Sequence, residues 1–515
     1  MNLILPILLA ASIAPSGTPT LNYRVLSQIY TIDKKYRSME GPSSVQKINL
    51  GDKNNPELLW ITGIRTEMVT ADGTTPQLAE LMCHVNVDLD TTFHQALFDL
   101  KRPVGSRLIT LSQGMLSAKV PPGYGFPIAS NEPLLLFTQV LNLNIEKPKN
   151  LKVRHRVTID YIRDRDAHPP IKPLFNVGAS GMVQLDNNPL ALASMPSASD
   201  AASAGGAHTG TSCLIGARAP NGTASSADYV DPQGRKMTGH WIVPPGKQVN
   251  HSDVTWFMNL PFDTRMHYAA VHLHPFASEL ILRDTTTNKD IFRAKATNPM
   301  AGVGLTRVDR FTSVEGVPLY KSHKYEIVSV YHNPTKENVD SMASIFLGLD
   351  DPEFVRPTTT QLARRSTILF GSDRFVLRTS SGDVKFIVSR DFASETTTQF
   401  ARLLDNGALN GARMVAKEDS IDITIPLARV REVLQPIRAE SGIAARTGTL
   451  AYCKPVAGDT NLRLRILTAD LKADSRCTPF ATIETGIQAL IMASALPDAT
   501  ILNASTAPVV PAGSH

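Results

Sequence analysis

The stretch "HYAAVHLHPF", residues 267–276, decides how this chain is read. It is short, apolar and β-prone, and it stops at Pro275, which has no backbone N–H to give to a ladder. Alternate side chains of an extended strand share a face. His272 and His274 therefore project together with Tyr268 and Ala270 behind them, while His267, Val271 and Leu273 face the other way. Two imidazoles this close repel when both are protonated, so at neutral pH they suit a shared cation. The plainer alternative is a pair of hydrogen-bonded or surface histidines.

The strand pattern continues in both directions. Upstream, from Leu21 to about Asp166, "ELLWITGIRTEM", "LMCHVNVDLD", "RLITLSQGMLSAKV", "LLLFTQVLNLNI" and "RHRVTIDYI" alternate in short runs between Gly, Pro and Asn. That predicts an antiparallel sandwich over residues 21–190. Residues 191–235 shift to Ala, Ser and Gly ("ASMPSASDAASAGGAHTGTS"), a linker or insertion too small and polar to build a core. A second set of strands over 236–355 includes "HWIVPPGKQVNHSDVTWFMNL", "ELILRDTTTNKDIFRA", "KYEIVSVYHNP" and "SMASIFLGL". "RPTTTQLARRST" is a connector over 356–367.

From Ile368 to about 505, "DRFVLRTSSGDVKFIVSRDF" is two strands around a Ser-Gly turn, and "SETTTQFARLLDNGAL" is a helix with a Ser/Thr start and a Gly stop. Residues 506–515 form a tail. The expected fold class is mainly β, two tandem antiparallel sandwiches followed by a mixed β domain with one or two helices; the family resemblances of these segments imply jelly-roll-like sandwiches and a β-barrel.

With 515 residues, the chain exceeds what one core supports. Its 42% hydrophobic and 19% charged residues are those of a globular protein, and the net charge of +5 is spread without a basic block interleaved with aromatics, which argues against nucleic acid as a partner. "MNLILPILLAASIAPSG" reads as a secretory signal over residues 1–16, although no Lys or Arg precedes it and Pro15 follows the small residues. No later run is long enough for a membrane span. Export to the periplasm, the extracellular space or the cell surface is expected. Cys83, Cys213, Cys453 and Cys477 form no CxxC pair; Cys453 and Cys477 are able to bridge, and four buried thiols are the alternative.

"HWIVPPGKQV", "MHYAAVHLHP" and "VDSMASIFLGL", in that order across residues 240–350, resemble the catalytic half of the copper type II, ascorbate-dependent monooxygenases, the peptidylglycine α-hydroxylating and dopamine β-monooxygenase family. The resemblance extends more faintly over 21–166 and implies two linked jelly-roll-like sandwiches. It implies a copper held by His272, His274 and the thioether of Met342, with His267 and His332 as outside candidates. The chemistry is coherent, since a soft sulfur with two imidazoles favours Cu(I), tolerates Cu(II), and leaves room for a further ligand. Taken alone, Met342 on its apolar strand is simply a core methionine. The family's second, electron-delivering copper needs three histidines in the first sandwich. This chain offers His84, and then His94 or His155, with Leu141 and Leu143 where a histidine belongs, so that second site is incomplete.

The C-terminal "VLRTSSGDVKFIVSRDFASETTTQFARLLDNGALNGARMV", "GTLAYCK" and "TPFATIETGIQALIMASAL" are similar to cyclophilin-type peptidyl-prolyl isomerases. That family polarises the prolyl amide with an arginine; the aligned position here is Ala416, Arg413 stands three residues earlier, and "NLRLRIL" lacks the family's Gln. The resemblance thus implies a fold kept for a peptide or protein ligand, with Arg413 as the candidate for any residual isomerase activity. Three functions follow as expectations: an exported copper-binding protein, an extracytoplasmic isomerase or folding helper, and a structural or surface-assembly protein that oligomerises without catalysis.

Overall fold

The computed structural model describes residues 19–36, 40–52, 55–191, 229–366, 374–389, 393–435, 437, 440, 442–470 and 474–506. The N-terminal apolar run, His208, Cys213 and the C-terminal tail lie outside the described residues. Among those described, no helix is long and apolar enough to cross a membrane.

The protein is mainly β, and one sheet runs through both sandwiches. Its first half orders Leu21–Leu26, Leu151–Arg163, Leu58–Thr70 and Tyr124–Ala129; its second half orders Lys172–Ser180, Ala343–Asp350, Thr264–Leu273 and Phe311–Leu319. The halves join where Lys172 and Pro173 pair in parallel with Tyr124 and Gly125. The strand Lys172–Ser180, which falls within residues 21–190, thus pairs along its length with Ala343–Asp350 of the second sandwich.

Each half is covered by a sheet of its own. Ser43–Ile48, Leu134–Val140, Met82–Leu89 and Arg107–Ser112 cover the first; Gly246–Asp253, Tyr325–Asn333, Ala277–Asp284, Lys289–Thr297 and Arg307–Val308 complete the second. One apolar cluster spans both, from Tyr30, Val85 and Leu136 to Ala269, Val271 and Leu347. The buried pair Arg102–Asp351, with a nitrogen–oxygen distance of 2.5 Å, also links them.

The third domain is an eight-stranded sheet running from Arg413–Ala416 through Ser420–Pro426, Asn461–Leu467, Thr449–Cys453, Cys477–Thr485, Gly382–Val388 and Arg374–Thr379 to Asn503–Thr506. It curls back on itself, because Gly411 and Met414 donate backbone N–H groups to Ile501 and Ala499. The strand Asn461–Leu467 shows why it folds this way: Leu462, Leu464 and Ile466 are buried, and Arg463 and Arg465 between them face outward. The core is a separate apolar cluster that includes Phe375, Phe386, Phe400, Leu450 and Phe480. The expected hairpin spans Arg374–Thr379 and Gly382–Val388, its turn closed by Gly382 at φ +130°, a value only glycine adopts easily.

The expected helix covers Ser394–Asp405, but its N-terminal cap comes from elsewhere. Ala393 at the cap position has no side-chain acceptor, and the Glu440 carboxylate takes the N–H groups of Glu395 and Thr396 at 2.9 and 2.8 Å. The connector is itself a helix over Thr359–Ser366, whose Leu362 packs with Leu97 and Phe98 of the helix Thr91–Phe98 and with Ala401. Those three helices dock the barrel onto the first sandwich. Cys453 and Cys477, opposite each other on neighbouring strands, form a disulfide, and Cys83 is a buried thiol.

Candidate metal centre at the seam of the two sandwiches

The strand Thr264–Leu273 delivers the histidine pair. It pairs with Ala343–Asp350 so that His272 is opposite Ser344 and Leu273 is opposite Ala343. Side chains directly opposite share a face, and this face looks away from the second sandwich's core: Ser344 Oγ meets Ser180 Oγ at 3.0 Å, and Ser112 of the first sandwich donates to the Val271 carbonyl at 3.4 Å. His272 and His274 therefore lie in the seam, both buried. His274 falls just past the end of the strand, before Pro275.

The two rings stand edge to face, with centres 5.3 Å apart and planes at 89°. His274 Nδ1 donates to Asp340 Oδ2 at 3.0 Å. His274 N–H points to the Met342 carbonyl at 3.4 Å, and the Tyr331 hydroxyl donates to that same carbonyl at 2.5 Å. Burial pushes the Tyr331 phenol well above its usual range, so this hydroxyl stays a donor.

Two further histidines flank the pair. His84, opposite Ser112 in the first sandwich, reaches His272 edge-on with ring centres 6.0 Å apart and stacks on Phe137. The alternation of its strand predicts a polar face with Met82 and Asn86; those residues are buried, and His272 of the second sandwich stands against His84. On the other side His240 approaches His274, with ring centres 6.4 Å apart. A two-stranded ribbon, Trp241–Val243 with Val339–Ser341, sets Asp340 opposite Ile242 and so next to His274. His240 and Asp340 were missed as individual residues, although "HWIVPPG" and "VDSM" carry them; only the pairing of these distant segments reveals the contact.

Of the remaining candidates, Met342 adjoins the pair and the others lie elsewhere. Met342 stands beside His274 through its backbone, and its buried side chain packs with Met182 and Tyr229, against which Met237, Trp256 and Phe257 lie. His267 sits at a register irregularity, stacked on Tyr124 at 4.1 Å with Nδ1 held by the Ser313 carbonyl at 2.9 Å, and burial lowers its pKa. His332 is exposed on the other sheet of the second sandwich, opposite Lys247. His94 is engaged by buried Glu132 at 2.9 Å. His155 gives Nε2 to the Gln139 carbonyl at 3.2 Å; burial, then the neighbouring His84, bring its pKa down to about 3. Arg413 is exposed on the outer face of the barrel, in a row with Thr424 and Arg463.

The donor chemistry fits a metal ion. Two imidazoles that share one ion, each nitrogen about 2 Å from it, have ring centres roughly 5 Å apart, and the pair stands at 5.3 Å. Among the described residues no group of three His, Cys, Asp or Glu side chains could hold a metal ion.

No family model matches the chain, and no curated protein matches it, so neither supports the monooxygenase resemblance. Among solved structures, the chain is similar to a cyclophilin-type peptidyl-prolyl cis-trans isomerase of Cryptosporidium parvum, with 14% identity and a TM-score of 0.21 over 26% of this chain and 97% of that one. It is similar to the STIV MCP, with 9% identity and a TM-score of 0.25 over 63% of this chain and 98% of that one. It is also similar to PNGF-II, with 8% identity and a TM-score of 0.25 over 64% of this chain and 65% of that one. Likenesses this weak assign neither a family nor an activity.

Proposed function

We propose that this protein binds a single copper ion in the seam between its sandwiches, through the imidazoles of His272 and His274 and the thioether of Met342. The observation that carries the reading is the buried pair at 5.3 Å with the Nδ1 of one member held by a carboxylate. That is the arrangement by which proteins orient metal-bound histidines. A soft sulfur joining two imidazoles would select copper over zinc. Bound copper would supply one-electron redox chemistry and a place for dioxygen or substrate. The chain's own residues bury the pair and orient His274. Copper binding, and not coupled two-copper hydroxylation, is the function proposed, because His94 is engaged by Glu132 and the Nε2 of His155 by the Gln139 carbonyl.

The barrel is proposed as a binding or scaffolding domain for a peptide or protein ligand, and export is proposed in keeping with the Cys453–Cys477 disulfide. Metal analysis and electron paramagnetic resonance of the purified full chain test the centre. We expect one copper per chain, lost in the His272→Ala/His274→Ala double variant and held less tightly as Cu(I) in Met342→Ala. Copper content unchanged by the double variant overturns the assignment.

A further inference from the structure

We infer that Asp340 is a positioning residue for the centre: it fixes the His274 imidazole in the tautomer that carries its proton on Nδ1 and presents Nε2 to the metal. This rests on the copper reading above. A carboxylate at neutral pH only accepts hydrogen bonds, so the 3.0 Å contact between Asp340 Oδ2 and His274 Nδ1 places the proton on Nδ1. The second nitrogen then carries the lone pair, which is the coordinating atom of a neutral imidazole.

The contact is built from both ends. Asp340 is held in the ribbon opposite Ile242, and its neighbour Ser341 donates to the Trp241 carbonyl at 3.0 Å. The His274 backbone is tied to the Met342 carbonyl and the Tyr331 hydroxyl. With both backbones anchored, the ring is held with Nδ1 against the carboxylate. Asp340 keeps a third of its side chain exposed while the His274 side chain is 4% exposed, so the carboxylate stands at the rim and the ring points inward.

The test measures Cu(I) affinity of the full-length wild type, Asp340→Ala and Asp340→Asn by competition with bicinchoninate. We expect Asp340→Ala to weaken binding by roughly 10- to 100-fold. Asp340→Asn, whose amide oxygen accepts the same N–H, should stay within about threefold. Wild-type affinity in Asp340→Ala, or equal losses in both variants, overturns the inference while leaving the centre itself standing. A wild type that binds no copper removes the centre and this inference with it. Nitrogen NMR of histidine-labelled wild type without metal, assigned through His274→Gln, gives a readout that no Asp340 variant has to survive. An Nδ1–H tautomer at His274 is expected, and an Nε2–H tautomer overturns the inference.

Discussion

The seam between the sandwiches and the interior of the barrel are both buried, yet they are filled differently. Inside the barrel the inward positions are Leu, Ile and Phe, and the charges go outward, as Arg463 and Arg465 do. In the seam the buried positions include His84, His272, His274, Ser180 and Ser344. Burying an imidazole opposes folding unless a partner offsets the lost hydration. The apolar interior of the barrel carries none of that cost. The difference teaches that the buried imidazoles gather at the contact between the two sandwiches, while the barrel keeps an apolar interior.

The largest expected effect sharpens that separation. Phe480, fully buried against Phe400 with ring centres 4.9 Å apart, belongs to the barrel cluster alone. Phe480→Ala should destabilise the barrel by about 3–5 kcal/mol, and calorimetry should show its transition moving while copper retention stays at the wild-type level. Loss of copper from this variant would break the comparison.

Next comes the disulfide, which closes a sequence separation of 24 residues. Cys453→Ser/Cys477→Ser should cost about 3 kcal/mol, read as a fall in the barrel's midpoint that reductant reproduces in the wild type. A shift in the sandwich transition instead would couple the two regions.

A third test reaches the sandwiches through pH. His155 has a folded-state pKa of about 3 against an ordinary 6.5. As pH falls the unfolded chain takes up this proton first, so the stability is fully present above about pH 6.5 and is lost on the way down towards 3. At pH 5 the loss from this residue alone is about 2 kcal/mol. Chemical denaturation at pH 7 and pH 5 should show it, and His155→Gln should flatten the difference; an equal slope in that variant would place the proton elsewhere.

The smallest effect concerns the barrel's helix cap. Glu440→Gln weakens two N–H contacts to the first turn of Ser394–Asp405 and should cost about 1 kcal/mol. Hydrogen exchange at Glu395 and Thr396 should speed up, and unchanged exchange would show that the turn holds without the carboxylate.

Much of the fold was legible along the chain. Period-two burial marks strands such as Asn461–Leu467, Gly382 marks a hairpin, and the Ser394–Asp405 helix shows its apolar spacing. The pair His272 and His274 follows from the same rule, since facing is set by the pleat of a single strand. The connector was harder, because Thr359–Ser366 is polar overall and gains its helix by packing Leu362 against two other helices.

What the amino-acid order determines by itself is local: where strands alternate, where turns fall, and that two imidazoles share one face. Their burial in a seam, the approach of His84 from one side and of His240 and Asp340 from the other, and the cap lent by Glu440 were decided only in three dimensions. The reason is physical. Backbone geometry fixes neighbours within a strand, whereas contacts between segments distant in sequence depend on how whole sheets and helices bury their apolar faces.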